Sequence, residues 1–150
     1  METSDQERLT LEDWGKLVLR ISIAGLMLFH GVAKITGGVA GIAGLLQSHD
    51  LPGFVAYGVY IGEVVAPIMI LLGIYARPAA IVFAFNMIVA VLLAHPADIL
   101  KLGDHGEWAI ELPVLYFLGA IAIALLGAGQ ITATRFLSES DSQPPAELMT

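Results

Sequence analysis

Hydrophobic residues fall into four long segments along this chain, separated by short stretches that are polar or rich in glycine. The most continuous segment lies within residues 57–77, and its stretch from Val64 to Tyr75 carries no charged side chain, so this span should end near Tyr75. A helix needs roughly 20 mostly apolar residues to cross a bilayer. The other segments cover about Leu17–Ile35, Pro78–Ala94 and Glu107–Leu126. The pattern therefore predicts an all-α protein, an integral membrane four-helix bundle.

The segment between the first two spans, Thr36–Pro52, is too short and too rich in glycine to cross a bilayer. Its apolar part, Val39–Leu46, predicts a short interfacial or re-entrant helix. His49 and Asp50 should end this helix, and Leu51-Pro52 should turn the chain into the second span.

Polar residues at both ends divide the chain into three parts. Residues 1–13 form a polar N-terminal tail, and residues 14–134 form the transmembrane domain. Residues 135–150 form a polar C-terminal tail, which we expect to be disordered towards its end. Thr10 and Asp13 have the spacing of a capping box, so a helix that continues into the membrane should begin inside the N-terminal tail.

Composition supports a membrane location and narrows the chemistry. Of the 150 residues, 57% are hydrophobic and 14% are charged, whereas about 25% of a soluble domain is charged. The formal net charge of −7 and the lack of a basic run argue against binding of nucleic acid. Without cysteine, the chain offers no disulfide, thiol relay or Cys-ligated cluster. No cleavage site precedes the first span, so we expect it to act as an uncleaved anchor.

Lysine and arginine predict the orientation in the membrane. With four spans, both termini lie on one side, which then carries five of these residues against two on the other side. The two sets are Arg8, Lys16, Arg20, Arg77 and Arg135 against Lys34 and Lys101. Basic residues favour the cytoplasmic side. We therefore expect a multi-pass protein of the plasma membrane, or of the inner membrane in a bacterium, with both termini in the cytoplasm.

One acidic residue lies near the middle of the second span. The carboxyl of Glu63 is costly to place in lipid, so it should face other helices or a water-filled cavity. Pro67 has no N–H, and this leaves the Glu63 carbonyl without its helical partner. A structural ion pair and a role in binding a proton, ion or ligand both remain open. As the partner we favour Arg20 over Lys34, because a guanidinium stays charged and binds a carboxylate through two donors.

Two further features of the spans concern helix packing. Gly58 and Gly62 form a pair of small residues four positions apart, which lets another helix approach closely. Asn86 is the strongly polar residue of the third span, and a hydrogen bond across helices is its favoured role.

The histidines gather on the predicted outer side of the membrane, at His30, His49, His95 and His105. Imidazoles and carboxylates near one another can bind a divalent metal. Interfacial histidine is common, however, and no pair here has tight ligand spacing, so we predict no metal site. His30 and His95 are the residues that a metal, or a haem b with two histidine ligands, would require. At this side we expect one polar cluster, formed by His30, Lys34, His95 and Glu111.

The order and spacing of several motifs resemble the DoxX family. Arg20 followed by FHGVAK at residues 29–34 is similar to the family's opening span, and Glu63 followed by LGIYAR at residues 72–77 resembles its second. The sequences at residues 106–111 and 126–129 resemble the last span and its glycine-rich exit. The resemblance covers about residues 16–134. The matching positions are Arg20, His30, Lys34, Glu63, Arg77 and Glu111.

The resemblance implies a four-helix membrane bundle that is often described as an oxidoreductase, and the related DoxD proteins are associated with thiosulfate:quinone oxidoreductase. Within such families the fold transfers better than the chemistry. Two functions therefore remain open. In the first, the chain is a quinone-binding subunit of a membrane redox complex, in which Glu63 or Glu111 moves protons. The residues that would hold the quinone are Arg20, His30, Lys34, Asn86 and His95.

The expected partners in that first function are the lipid bilayer and a redox protein, because the chain has no flavin or nicotinamide motif to supply electrons. In the second function, the chain is a non-enzymatic membrane module. It would transport a small molecule or ion, or assist assembly of another protein, and its charged pairs would be structural.

Overall fold

The computed structural model describes residues 9–141, which form six helices of more than two turns. Their bounds are α1 Leu11–Gly37, α2 Ala40–Ser48, α3 Gly53–Leu72, α4 Ala76–Ala94, α5 Glu111–Leu126 and α6 Ala133–Asp141. Helices α1, α3 and α4 are long and apolar enough to cross a membrane, and α5 is a shorter apolar helix. These helices confirm the predicted all-α membrane bundle, and α2 is the predicted short helix between the first two spans.

The first helix begins where the capping box predicts. The Thr10 hydroxyl accepts a hydrogen bond from the Asp13 N–H at 3.2 Å, and the Asp13 carboxylate accepts one from the Thr10 N–H at 3.0 Å. These two bonds satisfy N–H groups that a helix start otherwise leaves unpaired.

Two predicted boundaries were wrong by a few residues. Helix α3 ends at Leu72 rather than near Tyr75, because Gly73 adopts the left-handed conformation that commonly ends a helix, with φ of 73°. Helix α5 begins at Glu111 rather than near residue 107. The residues before it belong to a loop that folds back on itself, with the Ala109 N–H donating to the Lys101 carbonyl at 3.0 Å.

Each of the first two long helices contains one π-helical turn. In α1 this turn covers Ile21–Gly25 and directly follows Arg20. In α3 it covers Ile61–Val65 and contains Glu63. Such turns insert a residue into an α-helix and are frequent at functional sites. Here they adjoin two buried charged side chains of the bundle.

Helices α1 and α3 run antiparallel, and this register positions the site. Arg20 lies opposite Ile70, whereas Lys34, further along α1, lies opposite Glu63. Helix α4 packs along both α5 and α3. The core between these helices is made largely of small and apolar side chains. Phe83 and Ile123 are fully buried there.

Both ends of the described chain meet at one end of the bundle. The Asp13 carboxylate, at the start of α1, accepts a hydrogen bond from the Gln130 N–H, beyond α5, at 2.9 Å. A chain that crosses the membrane an even number of times has both ends on the same side, so the four predicted spans imply this arrangement. Helix α6 then carries the chain across the expected domain boundary at residue 134, and the end of the predicted tail, residues 142–150, lies outside the described residues.

Candidate functional site

A cavity of about 630 Å³ lies in the half of the bundle where α1 and α4 end and where α3 and α5 begin. Most of its wall is apolar, from residues such as Met27, Leu46 and Val59. Six polar side chains interrupt this wall, namely His30, Lys34, Glu63, Asn86, His95 and Tyr116. A largely apolar cavity of this size with a few convergent polar groups is typical of a site for a small molecule.

An ion pair joins α1 to α3 at the cavity wall. The Lys34 Nζ lies 2.5 Å from Oε2 of Glu63. The Glu63 side chain is 7% exposed and that of Lys34 is 28% exposed, so the carboxylate is the more deeply buried member. The Tyr60 hydroxyl donates to the Lys34 carbonyl at 3.1 Å and ties the same two helices together. The predictions that Glu63 faces into the bundle and that it has a basic partner are confirmed. Our preference for Arg20 as that partner was wrong.

Arg20 lies nearer the other end of the bundle, where α3 and α5 end. Its guanidinium is bound there by main-chain carbonyls. Its Nε donates to Ile70 at 2.7 Å, its Nη1 donates to Ala128 and Ile131 at 2.7 and 2.8 Å, and its Nη2 donates to Leu71. Two of these carbonyls belong to the last turn of α3, which carries the negative end of the helix dipole. The guanidinium thus caps α3 and holds the loop after α5, and it contributes nothing to the cavity wall.

Asn86 lies where α4 packs against α3. A Cβ atom on Gly62 would be only 2.6 Å from Oδ1 of Asn86, so only glycine fits at that position of α3. The Nδ2 of Asn86 is buried and has no hydrogen-bond partner in the part of the chain that the structure describes. The hydrogen bond that we expected across the helices is therefore not made by this amide nitrogen.

Both histidines of the cavity have contacts of their own. The His30 ring meets the Tyr116 ring edge-on, with centroids 6.0 Å apart. The His95 Nδ1 lies 3.1 Å from Oδ2 of Asp98, whose other oxygen accepts a hydrogen bond from Lys101 at 3.0 Å. The hydrogen bonds from Lys101 and from His95 hold the pKa of Asp98 below its ordinary value of 3.8, so Asp98 is ionised at neutral pH.

The predicted outer cluster is only partly brought together. His30, Lys34 and His95 line one cavity, but Glu111 is exposed at the first position of α5 and does not line it. Among residues 9–141, no group of three or more histidine, aspartate and glutamate side chains could hold a metal ion.

Two residues of the site were missed by sequence reasoning. Tyr116 lies inside the apolar segment that predicts the fourth span, and nothing in the sequence signals that its ring meets His30. Asp98 follows His95 by three residues, and that spacing was the available signal, since side chains three apart in a helical turn lie close together.

The match to a known family covers most of helix α1 and all of helices α2 to α4. The family model named DoxX matches residues 15–96, which include Lys34, Glu63, Asn86 and His95. This chain belongs to the DoxX family. It is also similar to a Bacillus subtilis (strain 168) protein named "Putative oxidoreductase CatD", with 30% identity over 115 residues. That match covers 76% of this chain and 80% of the other protein. No solved structure matches this DoxX family chain.

Proposed function

We propose that this DoxX family protein binds a quinone in the cavity and acts as a subunit of a membrane redox complex. The observation that carries the proposal is the Asn86 amide nitrogen, which is buried at the cavity wall without a partner in the described chain. Leaving such a donor unpaired costs about 1–3 kcal/mol. A turn of the amide that brings this nitrogen to the cavity would let a ligand oxygen remove that penalty, and a quinone carbonyl is an oxygen of this kind.

The remaining wall also suits a quinone. A quinone joins a flat ring with two carbonyl oxygens to an apolar tail, and the cavity combines a mostly apolar wall with a few polar groups. Ile61, Val82 and Phe85 line the cavity and are also exposed on the surface of the bundle, where lipid would lie. A ligand dissolved in the bilayer would therefore have a path between α3 and α4.

Each polar residue has a role that its contacts allow. Asn86 and Lys34 would donate hydrogen bonds to the carbonyl oxygens, and Glu63, which already accepts from Lys34, would hold or release a proton beside them. Reduction of a quinone takes two electrons and two protons. The electrons would come from a partner redox protein, and this chain would supply the binding site and the proton groups. The name of the similar Bacillus subtilis protein is consistent with an oxidoreductase.

The proposal is tested on the full chain in lipid nanodiscs. Lipid extracted from the purified protein should contain quinone, and decylubiquinone added to quinone-free protein should bind saturably. Asn86→Leu keeps the branched shape and the number of heavy atoms and removes the donor, so binding should weaken about tenfold through the lost hydrogen bond. Thermal stability of the ligand-free variant should stay the same or rise, because an unpaired buried group has been removed.

Thr36→Val is the matched control. Thr36 lies on α1 at the same end of the bundle and does not line the cavity. Among the described residues, its hydroxyl bonds only to carbonyls of its own helix. Its substitution should leave decylubiquinone binding unchanged. If the wild-type protein neither carries nor binds a quinone, the proposal fails.

A second function is favoured by the ion pair itself. The Lys34–Glu63 pair is already complete without a ligand, as expected of a structural pair in a membrane module that moves or assembles something else. If that function is correct, the purified protein should carry no quinone. The Asn86→Leu variant should then keep its transport or assembly activity.

A further inference from the structure

His95 and Asp98 form a connected pair between the cavity and the loop after α4. His95 is the cap residue directly after Ala94, the last residue of α4, and it lines the cavity. Asp98 lies in the 3₁₀ turn Pro96–Asp98 that follows directly, outside the spans. The side chain of His95 is 50% exposed and that of Asp98 is 33% exposed, so the pair reaches from the cavity wall towards water.

The contact decides which ring nitrogen of His95 carries the proton. Asp98 is held ionised by Lys101 and His95, as its lowered pKa indicates, and an ionised carboxylate can only accept hydrogen bonds. The 3.1 Å contact with Oδ2 therefore requires a proton on Nδ1 of His95. In the neutral ring this leaves Nε2 without a proton, as an acceptor. In the described part of the chain, Nε2 has no hydrogen-bond partner.

We propose that Asp98 is a positioning residue, which keeps Nε2 of His95 free to accept a hydrogen bond from the hydroxyl of a hydroquinone in the cavity. This inference rests on the proposed function and adds the preferred form of the ligand. The donors of the cavity, Asn86 and Lys34, suit a carbonyl oxygen, whereas the acceptor on His95 suits a hydroxyl.

The proton transfer itself is simple. During reduction, the N–H bond at Nε2 of a protonated His95 breaks and an O–H bond forms at the quinone oxygen, while the partner redox protein supplies the electrons. The carboxylate of Asp98 stabilises the positive charge of His95 before the transfer, as the aspartate of a catalytic triad does, and afterwards the neutral ring accepts a hydrogen bond from the new hydroxyl. The other charged or titratable groups near this pair are Lys101, which contacts Asp98, and His30, Lys34 and Glu63, which line the same cavity.

The first measurement needs no variant. The full chain labelled with ¹⁵N-histidine, in lipid nanodiscs above neutral pH, should show a His95 ring with its proton on Nδ1. Addition of decylubiquinol should shift the Nε2 resonance. A free histidine side chain favours the proton on Nε2, so Asp98→Ala should move the His95 proton to that nitrogen. A wild-type His95 that already carries its proton on Nε2 would overturn the inference, whether or not a quinone binds.

The second measurement compares the two redox forms of the probe. Asp98→Ala should weaken decylubiquinol binding about tenfold, the value of one hydrogen bond, and change decylubiquinone binding less than about twofold. Asp104→Ala is the control, because Asp104 is an exposed aspartate of the same loop with no hydrogen bond in the described chain. An equal loss for both forms, or no loss for either, would show that Asp98 does not select the hydroquinone. If the wild-type chain binds neither form, the proposed function fails instead.

Discussion

Gly31 of α1 packs directly against the main-chain carbonyl of Glu63 on α3. A Cβ atom on Gly31 would overlap this oxygen and would lie 2.7 Å from Cγ2 of Val64. Pro67 offers no N–H to the Glu63 carbonyl, and the missing side chain of Gly31 leaves room for that oxygen. The same close approach brings Lys34, three residues further along α1, to the Glu63 carboxylate.

Gly31→Ala should therefore destabilise the bundle. The added methyl group meets main-chain atoms, which cannot rotate away, so the two helices must separate at a cost of about 1–3 kcal/mol. Thermal unfolding in mild detergent would measure the loss. Gly15→Ala is the control on the same helix, because a Cβ at Gly15 meets nothing within 4 Å. Equal stability of the two variants would mean that the approach of α1 to α3 is not tight.

The Lys34–Glu63 pair should respond unequally to loss of its two members. Lys34→Gln leaves a carboxylate that is only 7% exposed, and an unpaired buried charge costs about 3–5 kcal/mol. Glu63→Gln leaves Lys34, which is 28% exposed and can extend its ammonium towards water, so the cost should be smaller. The double variant should recover most of the loss. Denaturation of all three variants in one detergent would check this order, and a larger effect of Glu63→Gln would contradict it.

Arg20→Lys should weaken the other end of the bundle despite keeping the charge. A lysine ammonium cannot reach four carbonyls arranged around a planar guanidinium, and each buried carbonyl left unpaired costs about 1–3 kcal/mol. The melting temperature should fall, and the chain around residues 127–132 should become sensitive to protease. Arg77→Lys is the comparison, because the Arg77 guanidinium also lies beside this loop, near Gly127, but its exposed side chain makes no hydrogen bond in the described chain. A protected loop in Arg20→Lys would refute the proposed clamp.

Both termini should lie in the cytoplasm. The Asp13–Gln130 hydrogen bond places the two ends of the described chain together, and the excess of lysine and arginine at that end favours the cytoplasmic side. A reporter that is active only in the cytoplasm, fused after Thr150, should be active. The same reporter inserted after Asp104 should be inactive, and the reverse result would invert the predicted orientation.

The apolar spans, the short helix between the first two and the cap at Thr10 were predicted from the sequence. These features depend on residues that are neighbours in the chain, since span length and capping are set within one helix. The end of α3 and the start of α5 differ from the prediction by a few residues. The first depends on the conformation of Gly73, and the second depends on contacts within the loop before α5.

The sequence alone predicts which polar groups lie within the membrane spans, because Glu63 and Asn86 are inside apolar segments whatever the packing. Their partners follow from the way the helices pack. The register of α1 against α3 placed Lys34, rather than Arg20, beside Glu63, and the contact of α4 with Gly62 left the Asn86 amide nitrogen unpaired. Register and rotation between helices follow from close packing of many side chains, which no single segment encodes.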